Sequence, residues 1–132
     1  MSVQPVDDLG ALASERGPGA YLVTVSDRGG PHTVYTTARW EAGAFIAEAG
    51  ASTSANAAAR PIVSLLYPVR AAGDYSLIID GVATVESGET GTRVRVRPTK
   101  AVLHRHGPPP DPTSACGADC VPLSVPLIPA TR

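Results

Sequence analysis

A small antiparallel β-barrel is the fold class this sequence predicts, and three observations carry the prediction. Apolar and polar residues alternate with period two over short segments. Clusters of Gly, Pro and Asp separate those segments at hairpin spacing. A chain of 132 residues with one Trp, one Phe and four Tyr supplies material for one modest core. Closure is expected because an open sheet of many short strands leaves edges exposed.

The elements follow in order. Val6 to Arg16 places Leu9, Leu12 and Ala13 at three- and four-residue spacing behind Asp7 and Asp8, which suit an N-cap and first turn, and Gly17-Pro18-Gly19 ends that short helix. From Ala20 the period becomes two, with Tyr21, Val23 and Val25 opposite Leu22, Thr24 and Ser26, until the turn signal Asp27 to Pro31. His32 to Glu41 forms the second strand and Ala44 to Ala49 the third, with Phe45, Ala47 and Ala49 on one face. Ser52 to Pro61 reads as one or two turns of helix capped by a hydroxyl. Ile62 to Val69 is a fourth strand. Tyr75 to Val85 is a fifth, long enough to require a bend or bulge at Gly81. Thr92 to His104 is a sixth, broken in register near Pro98.

Two units of organisation result: a barrel over residues 1–106 and a Pro-rich tail over 107–132. Prolines at positions 108–110, 112, 122, 126 and 129 predict an extended tail without regular structure, yet Val121, Leu123, Val125, Leu127 and Ile128 are too apolar for a solvated linker. The tail is expected to pack on the barrel or on a partner subunit. Leu65, Tyr67, Ile79 and Leu127 are apolar positions that a lone barrel of this size is expected to leave for a partner, which predicts a homodimer.

Composition excludes several classes of function. Eleven basic against twelve acidic residues give a net charge of −1, and no aromatic is interleaved with the arginines, so nucleic acid is not an expected partner. The longest apolar runs, Ala20 to Val23 and Ala44 to Ala47, are far below the ~20 residues of a spanning helix, so no membrane segment is expected. The amino end lacks a cationic and an apolar region, and we place the protein in the cytoplasm. No Ser-His-Asp or Cys-His arrangement can be assembled and carboxylates are sparse in the strands, so hydrolytic chemistry is not expected.

Three constellations could carry chemistry. Ser52, Thr53, Ser54 and Asn56 stand where a helix begins, so backbone N–H groups and side-chain donors can converge on one phosphate; the same residues also serve as a cap and a solvated first turn. Arg93, Arg95 and Arg97 form a period-two stripe that could meet a nucleotide phosphate tail or simply face solvent. His104, His106, Cys116 and Cys120 offer a set that Zn²⁺ accepts, although a redox pair or plain thiols in a packed tail read equally from the spacing.

The order of these elements resembles the pyridoxamine 5'-phosphate oxidase-like family of split β-barrels. The resemblance rests on AYLVTVSD from Ala20, GPHTV from Gly30, STSAN from Ser52, RPIVSL from Arg60, YSLIIDGVATV from Tyr75 and RVRVRPTKAV from Arg93. It implies a homodimeric barrel that holds FMN or the deazaflavin coenzyme F-420 in a groove between subunits. It also implies Thr36, Thr37, Ser52, Thr53, Ser54, Asn56 and Arg60 as the cofactor-binding residues. The implied activity is hydride transfer to or from a small conjugated substrate. Two features depart from the family pattern: Ala55 stands where relatives often place Lys or Arg, and only Glu86 to Gly91 is present where relatives insert a helical segment. The rival reading is therefore a cofactor-free dimeric barrel with a binding or structural role, carrying a Cys/His metal or redox element in its tail.

Overall fold

The computed structural model describes residues 4–5, 8–89, 91–107 and 119–124. Its elements are β1 (Gln4–Pro5), α1 (Leu9–Ser14), β2 (Gly19–Val25), β3 (Pro31–Glu41), β4 (Ala44–Ala49), α2 (Ala51–Ala59), β5 (Ile62–Tyr67), β6 (Ser76–Gly88), β7 (Gly91–Arg105) and β8 (Asp119–Ser124). Strands run in the order β7-β4-β3-β2-β5-β6, and β6 pairs back onto β7, so six strands close into an antiparallel barrel. Closure leaves none of these six with an edge along its whole length. On its other side β7 carries β8, and β8 carries the two-residue β1.

Period two sets the core. Leu22, Leu65, Leu77, Ile79, Val94 and Val96 are fully buried together with Phe45 and Tyr67, whose rings lie 6.1 Å apart. Leu65, Tyr67 and Ile79 thus fill the barrel rather than seek a partner, which corrects the sequence expectation; Leu127 lies outside the described residues. Because strand faces alternate, the neighbouring positions of β5 and β6 are the ones that face outward. The bend expected in the long hairpin is present. Register shifts between Asp80 and Gly81, and a Cβ on Gly81 would stand 2.5 Å from the Arg97 carbonyl oxygen, so only glycine allows the two strands to approach there.

Both helices differ in detail from expectation. Helix α1 spans six residues, with the Asp8 carboxylate accepting from the Ala11 N–H at 2.9 Å and Leu9 and Ala13 buried against the barrel. Helix α2 begins at Ala51, with Gly50 as an N-cap that makes no side-chain bond. The hydroxyls therefore occupy its first turn rather than the cap. The Pro-rich segment also holds a strand, β8, where irregular structure was expected. Only alternate residues of a strand bond any one neighbour, so Pro122 costs the ladder at most one donor, and Leu123 joins the core.

Candidate functional site

Strand β3 changes partner along its length, and that change opens a cleft. Pro31 to Thr37 pairs with β2, whereas Ala38 to Glu41 pairs with β4. Beyond Ala47, β4 stays with β7 and leaves β3, so the wall of the barrel parts. A cleft of about 520 Å³ occupies the gap. His32, Val34 and Thr36 line one wall, Glu48 and Ala49 the other, Gly50 to Thr53 one end, and Gly91 and Thr92 complete the lining.

One hydroxyl spans the opening. Thr36 Oγ1 donates to the Glu48 carbonyl at 2.7 Å, which ties the two walls where the sheet ladder no longer does. At the end of the cleft the first helical bond of α2 runs from the Ser54 N–H to the Gly50 carbonyl. The N–H groups of Ala51, Ser52 and Thr53 precede that bond and have no side-chain cap, so they present the positive end of the helix. Ser54 Oγ and Arg93 Nε are buried without a hydrogen-bond partner. Unpaired buried donors cost free energy unless a further group satisfies them.

The cofactor residues implied by the resemblance divide three ways. Thr36, Ser52 and Thr53 meet at the cleft. Thr37, exposed on the opposite face of β3, and Ser54, whose hydroxyl is buried in the first turn of α2, do not line it. Asn56 and Arg60 reach β2 instead: Asn56 Nδ2 donates to the buried Thr24 Oγ1 at 3.1 Å, and Arg60 Nε donates to the Val25 carbonyl at 2.6 Å. These two bonds hold α2 against the barrel. His32 and Glu48 are the ionisable lining residues that sequence reasoning missed. The only signal for His32 was its place on the same strand face as Thr36.

The arginine stripe is part of a charge lattice on the outer wall. Arg95 Nε lies 3.1 Å from Glu86 Oε2, and Arg93 stands in register between Glu48 and Glu86. At the other end of β7, His104 is opposite Cys120 in the ladder, and His104 and His106 border a depression of about 420 Å³ with Leu66, Pro68 and Val69. Cys120 is disulfide-bonded, which removes its sulfur from the candidate Zn²⁺ set; Cys116 lies outside the described residues. Among the described residues no three His, Cys, Asp or Glu side chains are grouped to hold a metal. No helix among them is long and apolar enough to cross a membrane.

Solved structures share this architecture. A proposed pyridoxamine 5'-phosphate oxidase from Listeria innocua superposes with a TM-score of 0.62 at 16% identity, covering 70% of this chain and 93% of its own. An F420 reductase gives 0.61 at 17%, covering 73% and 98%. The haem storage protein HutZ from Vibrio cholerae gives 0.55 at 15%, covering 67% and 86%. The fold is therefore the split β-barrel of pyridoxamine 5'-phosphate oxidase-like proteins. No family model matches the sequence. Uncharacterised proteins of Mycobacterium bovis (Mb0449c) and Mycobacterium tuberculosis (MT0457) are each 36% identical over 124 residues, spanning 83% of this chain and 87% of theirs. The chain belongs to one family with these mycobacterial proteins, built on the split β-barrel.

Proposed function

We infer that the protein is a cytoplasmic cofactor-dependent oxidoreductase that binds FMN or coenzyme F-420 as a homodimer. The observation that carries this reading is the cleft at the parting of β3 and β4, where helix α2 presents its uncapped amino end beside Thr36, Ser52 and Thr53. Its volume falls within the ~300–1,000 Å³ common for small-molecule sites. The fit to a phosphate is sound without lysine: the free N–H groups of the first turn and the hydroxyls of Ser52 and Thr53 are anion donors at the cleft. Ala55 removes a point charge but none of these donors.

When bound, the flavin or deazaflavin supplies the hydride chemistry. The residues of this chain bind, orient and exclude water. The first turn of α2 would hold the phosphate, and Thr36 fixes the width of the cleft through Glu48. His32 contributes a polar edge to the wall. The substrate class this suits is a small conjugated acceptor or donor of hydride.

A homodimer is supported by the outer face of the barrel. Tyr35, Tyr21, Leu66 and Ile78 are aligned in register across four strands on that face. Tyr35 is 64% exposed and Ile62, on the same side, 67%. An apolar band of this kind, lacking charge at its centre, is suited to a second copy.

The test is spectroscopic and calorimetric. Protein purified from its native host should carry absorbance near that of a flavin or deazaflavin, and the stripped protein should bind one of the two cofactors. Thr36→Val with Ser52→Ala should weaken that binding by about 1–3 kcal/mol per lost charge-assisted bond. Absence of binding of both cofactors at millimolar concentration would leave the cofactor-free barrel as the better reading.

A further inference from the structure

Beside helix α1 lies a second hollow, of about 620 Å³, which shares no lining residue with the cleft at α2. Three aromatic rings from three strands border it: Trp40 of β3, Phe45 of β4 and Tyr67 of β5. The Trp40 and Phe45 centroids lie 4.8 Å apart, and those of Phe45 and Tyr67 6.1 Å. Gly10 and Ala13 of α1 and Ala38 of β3 also line it, and side chains this small leave the space open. Helix α1 rests directly on the indole, since a Cβ on Gly10 would stand 2.3 Å from Trp40 Cγ. The volume is that of a small-molecule site.

The hydrogen-bonding groups of the lining are the informative feature. Tyr67 is 1% exposed, and its hydroxyl makes no hydrogen bond among the described residues. Burial pushes that hydroxyl up to about 12, so it stays protonated near neutral pH and remains a donor. The other polar side chains at the hollow are already engaged. Ser14 Oγ donates to the Gly10 carbonyl at 2.9 Å, and the Asp8 carboxylate accepts the Ala11 N–H at 2.9 Å. Arg39 Nε and Nη2 lie 3.1 and 3.0 Å from Glu41 Oε2. Asp8 and the paired Arg39 therefore bring no surplus positive charge to the lining, and an anion gains nothing there. A buried donor without a partner costs free energy that an entering acceptor would recover.

We propose that this hollow binds a neutral planar aromatic molecule of about two fused rings that carries a carbonyl oxygen, with its rings against Trp40 and Phe45 and its oxygen accepting from the Tyr67 hydroxyl. Aromatic rings attract one another in offset and edge-to-face arrangements beyond the area they bury. A site built to hydrogen-bond one group of a ligand also rejects analogues that lack it, because the buried donor is then left unpaired. The site is independent of cofactor binding at α2.

Trp40 is the one tryptophan of the chain, so its fluorescence reports on this hollow. The full chain, stripped of any cofactor, is titrated with three probes: 2-acetylnaphthalene, 2-ethylnaphthalene, which has the same rings without an acceptor, and 2-naphthoate, which adds a negative charge. Saturable quenching is expected with 2-acetylnaphthalene, and affinity about tenfold weaker with each of the others. Tyr67→Phe keeps the ring and removes the donor, so 2-acetylnaphthalene should fall to the level of 2-ethylnaphthalene, whose own affinity should not change. Ala11→Phe, at an exposed position that lines the hollow, should weaken 2-acetylnaphthalene more than tenfold. Urea denaturation of both variants checks that each is folded during the titrations. Quenching that does not saturate, or equal affinity for all three probes, would overturn the proposal. So would affinity for 2-acetylnaphthalene unchanged in Tyr67→Phe, which removes the hydroxyl from recognition, or unchanged in Ala11→Phe, which places the probe elsewhere on the barrel.

Discussion

The two halves of β3 show how one strand can serve packing and binding in turn. From Ala38 to Glu41 it is paired with β4, and Trp40 meets Phe45 edge to face with centroids 4.8 Å apart. From Pro31 to Thr37 the β4 edge is gone, and the inward positions His32, Val34 and Thr36 line a cleft instead of a closed wall. Backbone geometry is the same in both halves; only the neighbour differs. A binding cleft in this fold therefore needs no long loop, because a strand that exchanges one partner for another leaves a gap at the exchange. Side-chain hydrogen bonding replaces the ladder there, as the Thr36 hydroxyl does with the Glu48 carbonyl.

This contrast predicts that stability resides in the packed half and binding in the open half. Phe45→Ala should produce the largest effect: the ring is 1% exposed and touches both Trp40 and Tyr67, so truncation should cost about 3–5 kcal/mol in urea denaturation. A loss below about 1 kcal/mol would mean that the two halves are not differently packed.

The next effect is one of pH. Burial pushes the Tyr67 hydroxyl up to about 12 from 10.0, so the folded state keeps a proton that the unfolded chain releases. That contribution is complete below pH 10 and is lost as pH rises through 12. It amounts to about 2–3 kcal/mol at ~1.4 kcal/mol per pH unit. Denaturation midpoints measured from pH 9 to 12 should fall in the unmutated protein and fall less in Tyr67→Phe.

In the open half the effects on stability should be smaller. Thr36→Val removes one partly exposed hydrogen bond and should cost about 0.5–1.5 kcal/mol of stability, while it alters the width of the cleft and hence cofactor affinity. Ser54→Ala is the mildest. Its hydroxyl is buried, unpaired and outside the lining of the cleft, so the variant should be as stable as the original protein or slightly more so, by up to about 1 kcal/mol, with its affinity for a phosphate little changed. Thermal melts with and without cofactor separate the two contributions. Destabilisation of the stripped Ser54→Ala protein would show that the hydroxyl has a structural partner after all.

Some of the site was legible in advance, and the residues show why. Hydroxyls ahead of an alanine run mark the start of a helix, and the structure sets Ser52 and Thr53 in its first turn, beside the cleft. Asn56 and Arg60 share that segment but reach β2, because a helix turns side chains a few residues apart onto different faces. The resemblance carried Thr36 and Thr37 together, whereas adjacent strand residues point to opposite sides.

Sequence alone determined the alternation within each strand, the hairpin between β2 and β3 and the irregularity at Gly81, since each depends on neighbours a few residues away. Tertiary structure decided what depends on distant pairing. The change of partner along β3, the addition of β8 to β7 across intervening prolines, and the meeting of Trp40 and Tyr67 at one hollow all require strands far apart in the chain to find one register. Local alternation is indifferent to that choice: the same period-two segment pairs equally well with any strand of matching face, and only closure of the whole barrel selects the neighbour.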